Sequence, residues 1–348
     1  MPLLAPILAC VFTSFSMPII LYFARKQGLY DSVNERKIHN GKIPRLGGIG
    51  IAAGFTLAMV ALMVVQGAFI ADYRELFRIW PVLFGGMVML FLGLIDDLLE
   101  LRARIKLAVQ ILLAILLIAF DFRFRIIMVP WGDGILSLGY LSYPLTLAWI
   151  VGITNAMNLI DGLDGLAGGV GFIASLTFGI FFLAKGSPLP ALLCFTLTGA
   201  IAGFLIFNLP PAKIFMGDSG SLFLGFCLAA LPLLGQNGHS AEIGLISAAT
   251  TLAIPIFDTL AAIYRRRRAG VSFLSADRGH IHHVLLDLAG KTWKVLVVIV
   301  ALNIALAAAA LGTLYLPASL SFFLKIAALA ASALFFAIAN RTRSQNSP

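Results

Sequence analysis

Charged residues are scarce in this chain. Asp, Glu, Lys and Arg make up 12% of its 348 residues, whereas soluble domains average about 25%. Hydrophobic residues make up 60%, and the mean hydropathy is +0.98. A soluble globular domain is thereby excluded, and the composition predicts a protein that crosses a membrane many times.

Cysteine is scarce as well. Cys10, Cys194 and Cys227 each lie within an apolar run, and no two of them have the spacing of a metal-binding pair. A disulfide framework or a cysteine zinc site is therefore not expected, and these residues are predicted to be small core side chains. The first apolar run, residues 3–24, has no basic residue before it, so we expect a retained span and not a cleaved signal peptide.

The apolar runs predict an all-α polytopic membrane protein, because a bilayer span needs about 20 mostly apolar residues. We expect about eleven transmembrane helices (10–11). Their centres lie near residues 14, 56, 88, 113, 151, 174, 198, 228, 252, 303 and 328. These helices form one integral-membrane domain, residues 1–340, followed by a short polar C-terminal tail, residues 341–348.

Basic residues predict the orientation of the chain. Arg25 and Lys26 directly follow the first span, which places its end in the cytoplasm and the N-terminus outside. With eleven spans the C-terminus is cytoplasmic, and 19 of the 25 Lys and Arg residues fall on that side. This bias accounts for most of the net charge of +9, so nucleic acid is not expected as a partner.

The exterior loops are short, and one of them predicts regular structure. In residues 121–143, Phe122, Phe124 and Ile126 alternate with arginines before an Asp133-Gly134 turn. Alternation followed by a turn signal is typical of paired strands. We predict a small exterior β-hairpin there.

Five polar clusters follow spans one, three, five, seven and nine. They are residues 36–48 (RKIHNGKIPRLGG), 96–106 (DDLLELRARIK), 155–169 (NAMNLIDGLDGLAGG), 207–221 (FNLPPAKIFMGDSGS) and 255–283 (PIFDTLAAIYRRRRAGVSFLSADRGHIHH). Odd-numbered spans all end on one side, so every cluster is expected on the cytoplasmic face. Carboxylates at these helix ends avoid hydrocarbon, where an Asp costs roughly 2.5 to 3.5 kcal/mol. The pattern predicts one shared site that faces the cytoplasm.

The third cluster places polar side chains on one helix face. At about 100° per residue, Asn155, Asn158 and Asp161 fall within one stripe about 120° wide. Asp-Gly pairs at residues 161–162 and 164–165 are turn signals, so we expect the helix to loosen there. The spacing excludes an EF-hand. A ligand pocket is favoured, and an acidic, glycine-rich turn without function is the alternative.

The fourth and second clusters carry the carboxylates best placed for a metal. Asp218 lies among small residues at the start of a helix, where backbone N–H groups suit phosphate and one carboxylate suits Mg²⁺. A helix N-cap is the alternative role for Asp218. Asp96 and Asp97 are about 100° apart on a helix, so they cannot both face one atom. We expect divided roles: one at metal or phosphate, the other structural or proton-accepting, with a solvated loop as the alternative.

The basic residues of the second and fifth clusters have two interpretations. Lys106 is expected either to bind phosphate or to anchor the next span. The run from Arg265 to Arg268 is typical of an anchor for anionic membrane lipids. Arg265 is also a candidate for substrate binding. His280, His282 and His283 lack the partners of a tetrahedral zinc site. A role beside a diphosphate is favoured for these histidines over zinc or a solvated loop.

Taken in order, DDLLELRARIK, NAMNLIDGLDGLAGG, FMGDSGS and RGHIHH resemble the motifs of the polyprenyl-phosphate N-acetylhexosamine-1-phosphate transferases, the MraY/WecA group. The resemblance spans about residues 25 to 290. It implies Mg²⁺-dependent (or Mn²⁺-dependent) transfer of a sugar-1-phosphate from a UDP-HexNAc to undecaprenyl phosphate, with release of UMP. It also implies a bacterial cytoplasmic (inner) membrane location, contact with membrane lipids and an envelope glycan as the end product. A homodimer stays open.

The resemblance also implies roles for individual residues. Asp218 matches the Mg²⁺ ligand, with Asp161 as a second metal candidate, and Asp96 and Asp97 match the acidic pair. The positions that match the nucleotide and metal pocket are Asn155, Asn158, Asp161, Asp164, Asn208 and Phe215. The three histidines match a motif near the diphosphate and sugar, and they complete the predicted catalytic set of Asp96, Asp97, Asp218, His280, His282 and His283.

Two departures from the motifs bear on the sugar. The branch that transfers a muramoyl pentapeptide carries a triple-histidine motif and a TPTMGG-like first loop, whereas this chain has HIHH and IPRLGG. The chain therefore resembles the UDP-GlcNAc branch more closely. Glu100 and Arg104 also depart from the common Asp and Lys. The pentapeptide transferase is the alternative function, and a cation-coupled transporter is the alternative from another class, although its carboxylates would lie near the midplane.

Overall fold

The computed structural model describes residues 4–30, 43–65, 73–131, 134–237, 240–241, 243–270 and 279–346. Residues 36–42 of the first polar cluster and residues 271–278 of the fifth lie outside this set, as does Asp133 of the predicted turn. The described backbone is predominantly helical.

Thirteen α-helices occur in these ranges. They are α1 (Leu4–Lys26), α2 (Gly47–Val65), α3 (Tyr73–Leu99), α4 (Ala103–Ala119), α5 (Ser142–Ile160), α6 (Leu166–Ala184), α7 (Pro188–Asn208), α8 (Gly217–Ala230), α9 (Leu245–Thr251), α10 (Ala253–Arg268), α11 (Ile281–Ala289), α12 (Thr292–Leu311) and α13 (Ala318–Asn346). The predicted all-α polytopic class is confirmed. Helix α13 continues to Asn346, so the backbone of the predicted tail is helical up to that residue.

Eight of the described helices are long and apolar enough to span a membrane, and a bent pair makes nine. The other two predicted spans, α4 and α8, are present as helices, but α4 has 17 residues and the apolar helix that begins with α8, Gly217–Leu233, also falls short of 18. Because about 20 residues are needed to cross the hydrocarbon, the count of eleven and the sides of the two termini stay predictions.

The span predicted near residue 252 is not one continuous helix. Helices α9 and α10 meet at Leu252 with a bend of 80°. Pro255 in the first turn of α10 has no N–H to bond the preceding turn, which permits the break. The bend turns α10 and its arginine run away from the direction of α9.

Helix α8 is the centre of the bundle. Every residue from Ser219 to Ala230 is buried, and α2, α3, α5 and α6 all pack around it. Small residues allow close approach: a Cβ on Gly220 would lie 2.8 Å from the Cα of Gly48 at the start of α2. The N-terminus of α8 is therefore held directly against neighbouring backbone.

Two small hairpins complete the described fold. Strands β1 (Ile126–Met128) and β2 (Ile135–Ser137) are antiparallel, which confirms the predicted hairpin. Phe122 and Phe124, which were expected to alternate with it, precede β1 and are buried in the core. Strands β3 (Gln236–Asn237) and β4 (Ser240–Ala241) form a second hairpin that the sequence pattern did not predict.

Candidate active site

The site is built around the N-terminus of α8, where the MGDSGS sequence turns into the helix. Gly217 has φ of +73°, a left-handed conformation that favours glycine. The backbone of this turn is also tied to the chain entering α2: Phe215 N–H donates to Pro44 at 2.8 Å, and Gly48 N–H donates to Met216 at 2.9 Å. Backbone hydrogen bonds alone therefore hold this turn against the start of α2.

Asp97 of α3 caps this helix from outside. Its two carboxylate oxygens accept the backbone N–H groups of Asp218 at 2.9 Å and Ser219 at 3.0 Å. Free N–H groups at a helix start need such partners, and a negative charge there is favourable. Arg45 donates to the Asp97 carbonyl oxygen, and its Nε lies 3.8 Å from the carboxylate. Asp97 therefore stabilises the start of α8, which favours it for the structural role of the predicted pair.

Asp96 points to a different partner. Lys106 of α4 lies between two carboxylates, with its Nζ 2.6 Å from Asp96 Oδ2 and 2.9 Å from Asp218 Oδ2. The Asp218 side chain is 33% exposed, whereas that of Asp96 is 8% exposed. The structure therefore brings Asp96, Lys106 and Asp218 together, as one cation shared by two carboxylates from separate helices.

The asparagines of α5 extend this network. Asn158 donates to Asp218 Oδ1 at 3.1 Å and to the hydroxyl of Ser221 at 2.8 Å. One turn earlier, Asn155 exchanges amide hydrogen bonds with Gln110 of α4, at 2.6 and 3.3 Å. Gln110 is one turn after Lys106 on α4. Of the predicted stripe, Asn158 contacts a carboxylate directly, and Asn155 bonds to the helix that carries Lys106.

The loop after α5 is held by two residues predicted to bind substrate. Asp164 accepts the backbone N–H of Ala212 at 2.9 Å, and Asn208 accepts that of Gly165 at 2.9 Å while donating to the Ile214 carbonyl at 2.8 Å. Both side chains are buried and shape the loops around the site. Their contact with substrate stays a prediction.

Asp161 and Phe215 lie at the edges of the same region. Asp161 is the C-cap residue that directly follows α5, three positions after Asn158, and it is partly exposed. Phe215 is partly exposed in the turn before α8, three positions before Asp218. Both positions are adjacent to the network, and their roles at metal and nucleotide stay predictions.

The histidine motif packs against the loop after α5. A Cβ on Gly162 would lie 2.5 Å from Nε2 of His282. The ring of His282 is parallel to that of His280, with centroids 5.8 Å apart, and lies 4.3 Å from that of His283. The motif is anchored from α10, since Asp258 Oδ2 lies 2.7 Å from His280 Nδ1. The third and fifth polar clusters therefore meet.

His282 is 1% exposed, and neither ring nitrogen has a hydrogen-bond partner among the described residues. Burial, with a smaller contribution from His283, lowers the pKa of His282 to about 3. The folded protein thus keeps this ring neutral at pH 5, whereas the unfolded chain binds a proton near pH 6.5.

We expect stability to fall as the pH drops from 6.5 toward 3, because only the unfolded state takes up this proton. At pH 5 the loss is about 2 kcal/mol relative to pH 8. Thermal unfolding in detergent at both pH values measures it, with His282→Gln as the variant that cannot titrate. An equal pH dependence in the variant would contradict a buried neutral His282.

Arg265 lies beside the motif as well. Its guanidinium group is in close contact with Gly279, directly before His280, so this arginine packs against the histidine loop. Arg266 is also buried. Binding of substrate by Arg265 stays a prediction.

Three participants were not predicted from the sequence: Arg45, Gln110 and Asp258. Arg45 follows a proline within the first polar cluster, where nothing distinguishes it from other basic residues. Gln110 and Asp258 had a usable signal, because each interrupts an apolar stretch of its helix, and polar residues are rarely placed there without a partner.

A separate apolar cavity of about 210 Å³ lies between α2, α3, α7 and α8. Phe223 and Cys227 line it from α8. At 100° per residue these side chains are about 140° and 180° from Asp218 around the helix. The cavity is therefore behind α8 and is no site for a phosphate.

No three His, Cys, Asp or Glu side chains form a metal-binding group in the part of the chain that the structure describes. Mg²⁺ is commonly held by one or two carboxylates together with substrate phosphates and water. Asp218 supplies a partly exposed carboxylate that already contacts a cation, the Nζ of Lys106. The donor set therefore fits a Mg²⁺ that arrives with a phosphate substrate.

Comparison with known proteins identifies a family for the region that carries the site. Residues 79–236, which include the acidic pair, the α5 motif and MGDSGS, match the model of glycosyl transferase family 4. A probable undecaprenyl-phosphate N-acetylglucosaminyl 1-phosphate transferase of Bacillus subtilis (strain 168) is 38% identical, over 77% of this chain and 73% of the relative.

Two further relatives carry related names. The undecaprenyl-phosphate alpha-N-acetylglucosaminyl 1-phosphate transferase of Yersinia pestis is 34% identical over 84% of this chain and 80% of its own length. The decaprenyl-phosphate N-acetylglucosaminephosphotransferase of Mycobacterium tuberculosis (strain ATCC 25618 / H37Rv) is 36% identical over 84% and 77%. The chain therefore belongs to glycosyl transferase family 4, in the branch that contains the polyprenyl-phosphate N-acetylglucosamine-1-phosphate transferases.

Proposed function

We propose that this protein transfers N-acetylglucosamine-1-phosphate from UDP-GlcNAc to undecaprenyl phosphate and releases UMP. The observation that carries the proposal is the convergence of Asp96, Lys106 and Asp218 at the N-terminus of α8. Carboxylates for a metal, a cation and a helix N-terminus together suit phosphoryl transfer, which requires positioning and charge neutralisation. The named relatives supply the acceptor and the sugar.

The reaction forms one bond and breaks one bond. An oxygen of the lipid phosphate attacks the β-phosphorus of the donor, and the bond from that phosphorus to the bridging oxygen breaks, so that UMP leaves with the electron pair. A phosphate monoester has a second pKa near 6 and is about 90% dianionic at pH 7. Most of the nucleophile is thus already deprotonated, and direct attack is favoured over a covalent aspartyl-phosphate route.

Residues of this chain divide the remaining work. Lys106, which contacts Asp96 and Asp218, would neutralise phosphate charge. Asp218 would hold a Mg²⁺, with Asp161 as the second candidate ligand, and the ion would offset the charge of the diphosphate. Asp96 would then be left to accept the last proton of the lipid phosphate. Asn158 orients Asp218, and Asp97 keeps the helix start in place. The histidine motif, which packs against the loop after α5, would bind the diphosphate end of the donor.

The two aspartates of the pair should respond differently to pH. If Asp96 removes the last proton from the lipid phosphate, the Asp96→Asn variant recovers partly at pH 8.5, where about 99.7% of such a monoester is dianionic. Asp97→Asn should show no recovery, since its loss comes from the weakened cap of α8. Rates of UMP release from pH 6.5 to 8.5 make the comparison. Equal profiles for the two variants would contradict the divided roles.

The site is expected to face the cytoplasm of a bacterium, at its inner membrane. The positive-inside bias supports this orientation, which would bring the donor sugar nucleotide to the site from the cytoplasm. Membrane lipids surround the helices, and a homodimer stays an open proposal.

The sugar is tested by supplying the purified protein with undecaprenyl phosphate, Mg²⁺ and one of two donors. We expect UMP release with UDP-GlcNAc and little with UDP-MurNAc-pentapeptide. Efficient turnover of the pentapeptide donor alone would overturn the assignment. The names of the relatives favour neither the pentapeptide reaction nor a cation-coupled transporter.

A further inference from the structure

Asp258 is a buried carboxylate that the reaction described above does not use. It lies in α10, two turns before the arginine run, and is 1% exposed. Its Oδ1 accepts the backbone N–H of Ile281 at 2.8 Å, and its Oδ2 lies 2.7 Å from Nδ1 of His280. One carboxylate thus connects α10 to the histidine motif through two hydrogen bonds.

The hydrogen bond to His280 makes use of the negative charge of Asp258, whereas the one to Ile281 does not require it. Ile281 is the first residue of α11, and its N–H would be capped as well by a neutral Asn, since Asn and Asp cap helices about equally. A buried carboxylate is costly unless it is paired. The pairing with His280 is therefore what distinguishes Asp from Asn at this position.

The pairing also determines the state of the His280 ring. An ionised carboxylate only accepts hydrogen bonds, so Nδ1 must carry the proton that it shares with Asp258. In the neutral ring Nε2 is then an acceptor. The ring is 6% exposed and parallel to that of His282, which contacts the loop after α5 at Gly162. Its orientation is fixed on two sides.

We propose that Asp258 is a positioning residue for the transfer reaction, which fixes the tautomer and orientation of His280 so that Nε2 serves the diphosphate end of the donor. This inference rests on the proposed function, which places the donor beside the histidine motif. Carboxylates that orient metal-ligating histidines through the other ring nitrogen typically contribute about 10- to 100-fold to metal affinity or activity, and we expect an effect of that size here.

Asp258→Asn tests the inference with little change in shape. The amide oxygen still accepts from Ile281, but the amide nitrogen now donates to Nδ1, which forces the proton of the neutral ring onto Nε2. We expect kcat to fall by about 10- to 100-fold, with KM for the lipid acceptor unchanged. Asp287→Asn, the same chemical change at an exposed residue of α11, is the matched control and should behave like wild type.

A second measurement does not depend on turnover. In protein labelled with ¹⁵N-histidine, the tautomer of His280 is read from its ring nitrogen signals, assigned by their loss in His280→Gln. We expect Nδ1–H in wild type and Nε2–H in Asp258→Asn. A variant that keeps the wild-type kcat, or an unchanged tautomer with a reduced kcat, would overturn the inference. If wild type itself released no UMP, the proposed function would fail, and the tautomer comparison would still test the pair.

Discussion

Replacing Asp218 by Asn is expected to reduce the rate of UMP release at least about 100-fold at saturating substrate. The amide has nearly the same size but is a much poorer partner for a hard dication. It also removes one of the two negative charges that Lys106 contacts. Steady-state rates over a Mg²⁺ titration measure the effect, and a normal rate with unchanged Mg²⁺ dependence would place the metal elsewhere.

Asp121→Asn is the matched control for that experiment. Asp121 lies before the β1–β2 hairpin, where its exposed carboxylate contacts Arg123 and Arg125. Its φ of +70° is a conformation that Asn tolerates. This variant should keep wild-type activity, so a loss specific to Asp218 reports on the site and not on the loss of one negative charge.

Replacing Gly217 by Ala is expected to reduce activity at least about 100-fold, because displacement of a reacting group by about 1 Å can have that effect. An added Cβ would collide with the carbonyl oxygen of Arg45 and lie 2.7 Å from a carboxylate oxygen of Asp97. The left-handed backbone adds about 1 to 2 kcal/mol of strain. The start of α8 must therefore move, and Asp218 moves with it.

Two glycines separate these causes. Gly28 has φ of +68°, and no atom of the described residues lies within 4 Å of its added Cβ, so Gly28→Ala should show only the strain. Gly152 lies in α5 with open space and an ordinary helical φ, so Gly152→Ala should be neutral or stabilising by less than about 1 kcal/mol. Measuring the activity and thermal stability of the three variants separates the effect of backbone strain from that of the steric collision. Gly217→Ala with the mild loss of Gly28→Ala would contradict the close packing at this turn.

The sequence predicted the helical class, the hairpin and the clustering of polar motifs because these depend on local patterns. Period and composition locate α5 and its polar stripe without any knowledge of the fold. The same patterns could not assign Asp96 and Asp97, since adjacency sets only the angle between them. The N–H groups that Asp97 caps are 121 residues further along the chain.

Two other features of the structure were not predicted, because local sequence patterns carry little information about them. The break at Leu252 falls inside an apolar run, and Pro255, tolerated in the first turn of α10, was its one local sign. Asp164 and Asn208 resemble ligand residues by type, yet both bond to backbone N–H groups more than 40 residues away. Distinguishing loop support from ligand contact requires these long-range partners.

The central claim is transfer of a sugar-1-phosphate, and the fate of the β-phosphate tests it most directly. The purified protein is incubated with Mg²⁺, undecaprenyl phosphate and UDP-GlcNAc labelled with ³²P at the β-phosphate, and lipid and aqueous products are separated. We expect the label in the lipid fraction, together with unlabelled UMP in equal amount, and none of either without the lipid acceptor. Label that stays in the aqueous phase as UDP while the lipid gains only the sugar would contradict the account.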